Sequence, residues 1–357
     1  MTIPTLDGIS AKTISTSRLS TRVLFSGNEN GEPVLFLHGN ASTATWWEPV
    51  MLTLPPDFYA IAPDQRGYGA ADHEKKVDAT RGMGDFADDA AALLDYLDLE
   101  QVHVIGISMG GSIVWRMLMD YPERFLSVTV VNPGSPYGFG SSKGEYGTPC
   151  YDDFAGSGGG LVPADALKYL TDPNLIYTTD SPLSPCNRIK GLYANPAVHN
   201  PHEDVWIDAL LATHYGDQAY PGDSVPSPNW PFMAPGVWGA TNGLSRKYNG
   251  DVDRLYTASL KHTLLWIRGA ADGVVSDRSL RDVGTLGEMG LIPGWPGADV
   301  FPPQPMVSQT RAVLDRYAQA GGGYKEIVLE DAGHVPYVEK PDEFDAVFHA
   351  HLRGNRR

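Results

Sequence analysis

Only two of the 357 residues are cysteine, Cys150 and Cys186. Two are too few for a disulfide framework, and their spacing suits no metal site. A pair of reduced thiols is expected, with a single bridge as the alternative. Positive charge is scarce as well: 27 Lys and Arg stand against 43 Asp and Glu, a formal net charge of -16. That balance argues against a nucleic-acid footprint and against docking on anionic lipid. No apolar run approaches the length of a membrane-spanning helix. The opening MTIPTLDGISAKTIS lacks the basic start and apolar centre of a secretory leader. A cytoplasmic chain with no membrane or nucleic-acid partner is therefore expected. The sequence also lacks an internal repeat, a G-x-G-x-x-G fingerprint and any His/Asp/Glu grouping at ligand spacing. Neither a cofactor nor a metal is expected.

What is present is a strong alternation of short apolar runs and helical patterns. PVLFLHG (33–39) and FYAIAPDQRG (58–67) read as buried strands closed by turn residues. In DFADDAAALLDYLDL (85–99), Phe86, Ala90, Leu93, Leu94 and Leu97 share one face of an amphipathic helix. A strand at 102–108, a helix at 109–121 and a strand from 125 follow. Val- and Ile-rich strands alternating with helices predict an α/β fold, a mostly parallel doubly wound sheet covered on both faces. The alternation stops at Pro133, where Gly, Pro, Tyr and Trp become frequent, and resumes with HTLLWIRGAAD (262–272). Short helices are expected inside the break, at 163–170 and 204–214. A second irregular stretch (284–305) precedes a helix at 307–320, a strand at 324–334 and a closing helix at 341–352. The division expected is a core of 1–134 and 251–357 with an insertion over 135–250.

The most informative segment is VIGISMGGS (104–112). Gly106-Ile107-Ser108-Met109-Gly110 fits G-x-S-x-G at a strand-to-helix junction, the context of a nucleophile elbow. The turn is tight enough to strain the serine backbone and expose its hydroxyl. Side chains two before and two after would collide with neighbouring backbone, hence the glycines. Gly111 lets the helix pack close. The plainer alternative is a glycine-rich turn whose serine caps the helix.

With these residues the chain resembles the α/β-hydrolases of the capped, esterase- and lipase-like kind, over about 21–132 and 261–353. The resemblance places a cap or lid where the insertion lies, and it implies a Ser-His-Asp triad in that chain order. Ser108 would be the nucleophile. His334, in the loop of EDAGHVPYVEKPDEF, stands where the family places its general base. Asp272, ending a strand in a tight loop, is the preferred acid, with Asp277 and Asp282 further along as alternatives. Some relatives carry the acid after the preceding strand, but Asn132 stands there and cannot supply the charge. The oxyanion donors implied are the backbone amides of Met109 and Asn40. His38, Asp64 and Arg66 read as structural, and His199, His202 and His214 as residues of the insertion.

A serine at the elbow argues against the dehalogenases and epoxide hydrolases of this fold, which use aspartate. The function expected is hydrolysis of a small, apolar carboxylic ester or lactone through an acyl-enzyme. Alternatives are an aminopeptidase acting on N-terminal proline, with Glu203 and Asp204 available for the amine, a carbon–carbon bond hydrolase or perhydrolase, and a ligand receptor. Trp46, Trp47, Trp206, Trp230 and Trp238 are candidate substrate contacts; the competing reading makes such rings the core of the cap. The chemistry is expected to reside in the core, with triad geometry independent of the insertion.

Overall fold

The runs of branched residues form strands because their side chains pack well on a pleated, two-sided surface. The computed structural model describes residues 3–356 apart from 173, 176, 177 and 179. Eight strands build the central sheet: β1 (Ser10–Ser15), β2 (Ser20–Gly27), β3 (Glu32–Leu37), β4 (Phe58–Pro63), β5 (Val102–Ile107), β6 (Phe125–Val131), β7 (Thr263–Gly269) and β8 (Gly323–Leu329). Their order is β1-β2-β4-β3-β5-β6-β7-β8. β2 runs antiparallel to both its neighbours, and the remaining pairings are parallel.

Period-two alternation divides the core between the two faces. Leu35, Leu37, Val104, Val128 and Trp266 join α1 (Gly84–Tyr96), α2 (Met109–Asp120) and α3 (Met306–Gln319) on one side. Val34, Phe36, Ile105, Val131 and Ile267 meet Phe344, Phe348 and Leu352 of α4 (Pro341–Arg353) on the other. β5 is buried along its whole length, as a central parallel strand must be. The hairpin β1–β2 is an addition to the sequence reading. In β1 only Ile14 is buried, so this edge strand carries almost no apolar pattern.

Among the described residues, the chain between β6 and β7 contributes no strand to this sheet. It holds helices Ala164–Thr171, Pro185–Lys190 and Glu203–Leu211, together with short strand pairs. Trp206 anchors it to the core by stacking on Trp46, ring centroids 4.5 Å apart. Its other end meets the irregular stretch after β7: Trp230, Val283 and Phe301 form a small separate cluster. Cys150 and Cys186 are unbonded. Burial pushes the Cys150 thiol up to about 12. Among the described residues, no helix is long and apolar enough to cross a membrane.

Candidate active site

The loops at the carboxyl ends of β3, β5, β6, β7 and β8 gather the site. Ser108 stands between β5 and α2 with φ 55° and ψ −117°, a conformation that costs a non-glycine residue about 1–3 kcal/mol. Its backbone is held on both sides: Ser108 N donates to Val131 O at 3.0 Å, and Gly134 N donates to Ser108 O at 3.2 Å. A Cβ on Gly106 would lie 2.4 Å from Gly110 O, and one on Gly110 would lie 2.1 Å from Leu37 O. Both glycines are therefore sterically required. Gly111 is too, but the obstacle is Pro133 on the loop after β6, 2.6 Å from such a Cβ. The serine has no side-chain capping bond to its own helix, so its hydroxyl is left for other use.

His334 and Asp272 lie on neighbouring loops. His334 Nδ1 is 2.8 Å from Asp272 Oδ2. Asp272 Oδ1 accepts from the amides of Val274 (2.7 Å) and Val275 (3.0 Å). A carboxylate only accepts, so the imidazole proton sits on Nδ1 and the lone pair of a neutral ring is on Nε2. Asp277 is engaged elsewhere, by the amide and hydroxyl of Ser308 at 2.9 and 2.6 Å. Asp282 caps helix Val283–Glu288 through Thr285 N and also accepts from Gln304 N. Of the three aspartates considered, Asp272 is the one that meets His334.

Met109 is the first residue of α2, so its N–H is among those that no carbonyl of the helix accepts. The loop bearing Asn40 passes directly over the serine: a Cβ on Gly39 would lie 3.3 Å from Ser108 Cβ. Tyr68, which sequence reasoning missed, secures both positions. Its hydroxyl donates to Asn40 Oδ1 at 2.6 Å and lies 3.6 Å from Met109 Sδ. The ring is fully buried, and burial raises its phenol well above the ordinary value. The PDQRGYG turn was visible, but nothing local marked its tyrosine. Asn132 is the second residue missed, weighed in the sequence only as an acid that is absent. Its amide nitrogen donates to Gly333 O and His334 O, and its oxygen accepts from Gly269 N.

His38 is wholly buried; Nδ1 lies 2.8 Å from Gly39 O, and Nε2 accepts from Gln65 N at 3.0 Å. Burial pulls its pKa down to about 4, so the ring is neutral and joins two loops. Asp64 and Arg66 are likewise internal, Asp64 paired with Arg22 and Arg66 with Asp89. Of the histidines at 199, 202 and 214, His214 stacks on His73 and bonds Gly69 O.

The tryptophans fall into different places. Trp47 and Trp206 have no exposed surface, and Trp46 keeps 7%. Trp47 stacks on Tyr337, and Trp206 meets both Trp46 and Tyr337. Trp230 lies in the separate cluster with Phe301, and Trp238 pairs in an isolated bridge with Asp78. The five rings do not converge on one site. Glu203 is engaged by Cys186 (3.2 Å) and Lys190 (4.0 Å). The loop of His334 touches the chain between β6 and β7, where His334 N donates to Leu192 O at 2.7 Å.

Comparison with known proteins agrees with this fold. Residues 32–146 match the family model of the α/β-hydrolase fold, and the sheet and its helices are those of that fold. The chain is thus similar to the α/β-hydrolases in sequence over that span and in fold. It is 29% identical over 133 residues to an AB hydrolase superfamily protein, YfhM, of Bacillus subtilis, a match covering 37% of this chain and 46% of that protein. An uncharacterized carboxylesterase, nap, of the same organism is 31% identical over 124 residues, covering 35% and 41%. The chain thus spans less than half the length of these curated relatives. A solved serine hydrolase from Cycloclasticus zankles superposes with a TM-score of 0.59 at 19% identity, over 97% of this chain and 99% of that one.

Proposed function

We propose that this chain is a serine hydrolase of carboxylic esters or lactones, with 135–250 serving as a cap over the core. The observation that carries the reading is the bond between His334 Nδ1 and Asp272 Oδ2, at the carboxyl edge of the same sheet whose β5 ends in Ser108 at a strained elbow. Ser108 Oγ attacks the acyl carbon while its proton passes to His334 Nε2. Asp272 holds the imidazolium that forms through Nδ1–H. The oxyanion is met by the amides of Met109 and Asn40, each donor worth about 2.7–4 kcal/mol to the transition state. Collapse expels the alcohol, which takes its proton from His334. Water then attacks the acyl-enzyme by the same route, releasing the acid and restoring the serine. The carboxylesterase among the relatives is consistent with an ester substrate. No observation favours the aminopeptidase, since Glu203 already has partners within the insertion.

The test is a panel of nitrophenyl esters, lactones and proline anilides, run on the wild-type chain and on Ser108→Ala. Turnover of several esters and fluorophosphonate labelling, both lost in the variant, are expected. Activity or labelling that survives Ser108→Ala would refute the assignment. Slow single turnover with tight ligand retention would favour a receptor.

A further inference from the structure

The two residues Gly333 and His334 have four backbone polar groups, and every one is held. Gly333 N donates to Glu339 Oε2 at 2.6 Å, and His334 N donates to Leu192 O at 2.7 Å. Gly333 O and His334 O both accept from Asn132 Nδ2, at 3.1 and 2.9 Å. The backbone that carries the imidazole thus has three anchors: the end of β6, the short helix Pro336–Glu339, and the insertion. Glu339 connects the last two. Its other oxygen, Oε1, accepts from Ala194 N at 2.8 Å and Asn195 N at 3.2 Å. One carboxylate therefore binds the loop of the base and the insertion segment 194–195 together. The approach is close as well, because a Cβ on Gly333 would lie 2.4 Å from Leu192 O and 2.6 Å from Ala194 N.

We infer that Glu339 is a positioning residue that couples the seating of the insertion to the orientation of His334. This rests on the reading of His334 as the base of Ser108. The physical argument is that proton transfer from the serine tolerates little displacement: a misplacement of about 1 Å can cost about 100-fold in rate. With Leu192 and Glu339 in place the imidazole is fixed against Asp272. When the segment 192–195 moves away, His334 N loses its acceptor, and Glu339, which holds Gly333 N, loses both amides on its other oxygen; the loop is then free to shift. The insertion then acts on the chemical step as well as on substrate selection. Substituting Glu339 should change kcat, because the base works in the transition state; a residue that only binds substrate would change KM.

Two substitutions separate the possibilities. Glu339→Gln is isosteric but replaces one acceptor oxygen by an NH2 that faces an N–H. Gly333→Ala leaves Glu339 intact and wedges the insertion from the loop. Each is assayed with a nitrophenyl ester for kcat and KM, for the rate of fluorophosphonate labelling of Ser108, and for thermal unfolding. Both are expected to lower kcat and the labelling rate by about 10- to 100-fold with KM unchanged. A folded variant that keeps wild-type kcat and labelling overturns the coupling, whatever happens to its melting temperature. A rise in KM alone also overturns it, since that would make the contact one of binding. If the wild-type chain neither labels nor turns over an ester, the reading of Ser108 and His334 fails first and takes the coupling with it.

Discussion

Replacing Asp272 by asparagine separates charge from shape at the candidate acid. Oδ1 accepts from the amides of Val274 and Val275 at 2.7 and 3.0 Å, and Oδ2 meets His334 Nδ1 at 2.8 Å. In Asp272→Asn a single oxygen remains, and the two backbone donors outnumber the one imidazole in competing for it. Turning the amide the other way would leave both N–H groups facing an NH2, at about 1–3 kcal/mol for each unsatisfied donor. The amide nitrogen therefore faces His334, whose Nδ1 must become the acceptor. The ring proton moves to Nε2, and the nitrogen that should receive the serine proton no longer can. In the Ser-His-Asp template this exchange costs about 10⁴ in kcat, about 5 kcal/mol. Stability should change little, because volume and the two backbone bonds persist. Asp272→Ala should behave differently, losing the same activity and also stability as the two amides are orphaned. Ester turnover and urea unfolding of the two variants measure both effects. The reasoning is refuted if Asp272→Asn retains kcat within about tenfold of wild type, or if it unfolds as early as Asp272→Ala.

Acid should weaken the fold through His38. Its pKa is about 4 in the folded chain against about 6.5 when unfolded, so the unfolded state binds the extra proton between those values. Stability is fully present above pH 6.5 and falls by about 3 kcal/mol as pH drops toward 4; urea midpoints of wild type and His38→Asn should show the steeper acid loss in wild type, and parallel curves would refute it. At the elbow, Ser108→Ala should fold normally, whereas Gly110→Ala, whose Cβ would lie 2.1 Å from Leu37 O, should yield little soluble protein; a well-folded Gly110→Ala would show that the turn is looser than described. Trp206→Ala should cost about 3–5 kcal/mol, because the ring is wholly buried between Trp46 and Tyr337. Unchanged stability with a raised KM would instead make that ring a substrate contact.

Local chemistry determined what was legible in the sequence. Strand period, helix face and a strand-to-helix turn that admits only glycine are properties of adjacent residues, so β3 to β8, α1 to α4 and the elbow at Ser108 could all be read directly. The steric reason given for Gly106 and Gly110 is the one seen, contact with backbone closer than any real Cβ allows. Resemblance supplied His334 and left three aspartates in contention. β1 was lost because an exposed edge strand has little to bury.

Only the tertiary structure decided which distant groups meet. Asp272 and His334 are 62 positions apart, and the sequence holds no signal that gives Asp277 to Ser308 or Asp282 to Thr285 and Gln304 instead. Trp46 and Trp206 are 160 apart, and their composition alone suited a pocket wall as well as a packed stack. The link from Leu192 and Glu339 to His334 was the least visible of all. The Leu192 bond joins two backbone groups, and the Glu339 carboxylate accepts only from backbone N–H groups, which every residue but proline carries alike. The partners of such donors leave no mark on residue identity, so only the folded chain shows that segment 192–195 meets the loop of His334.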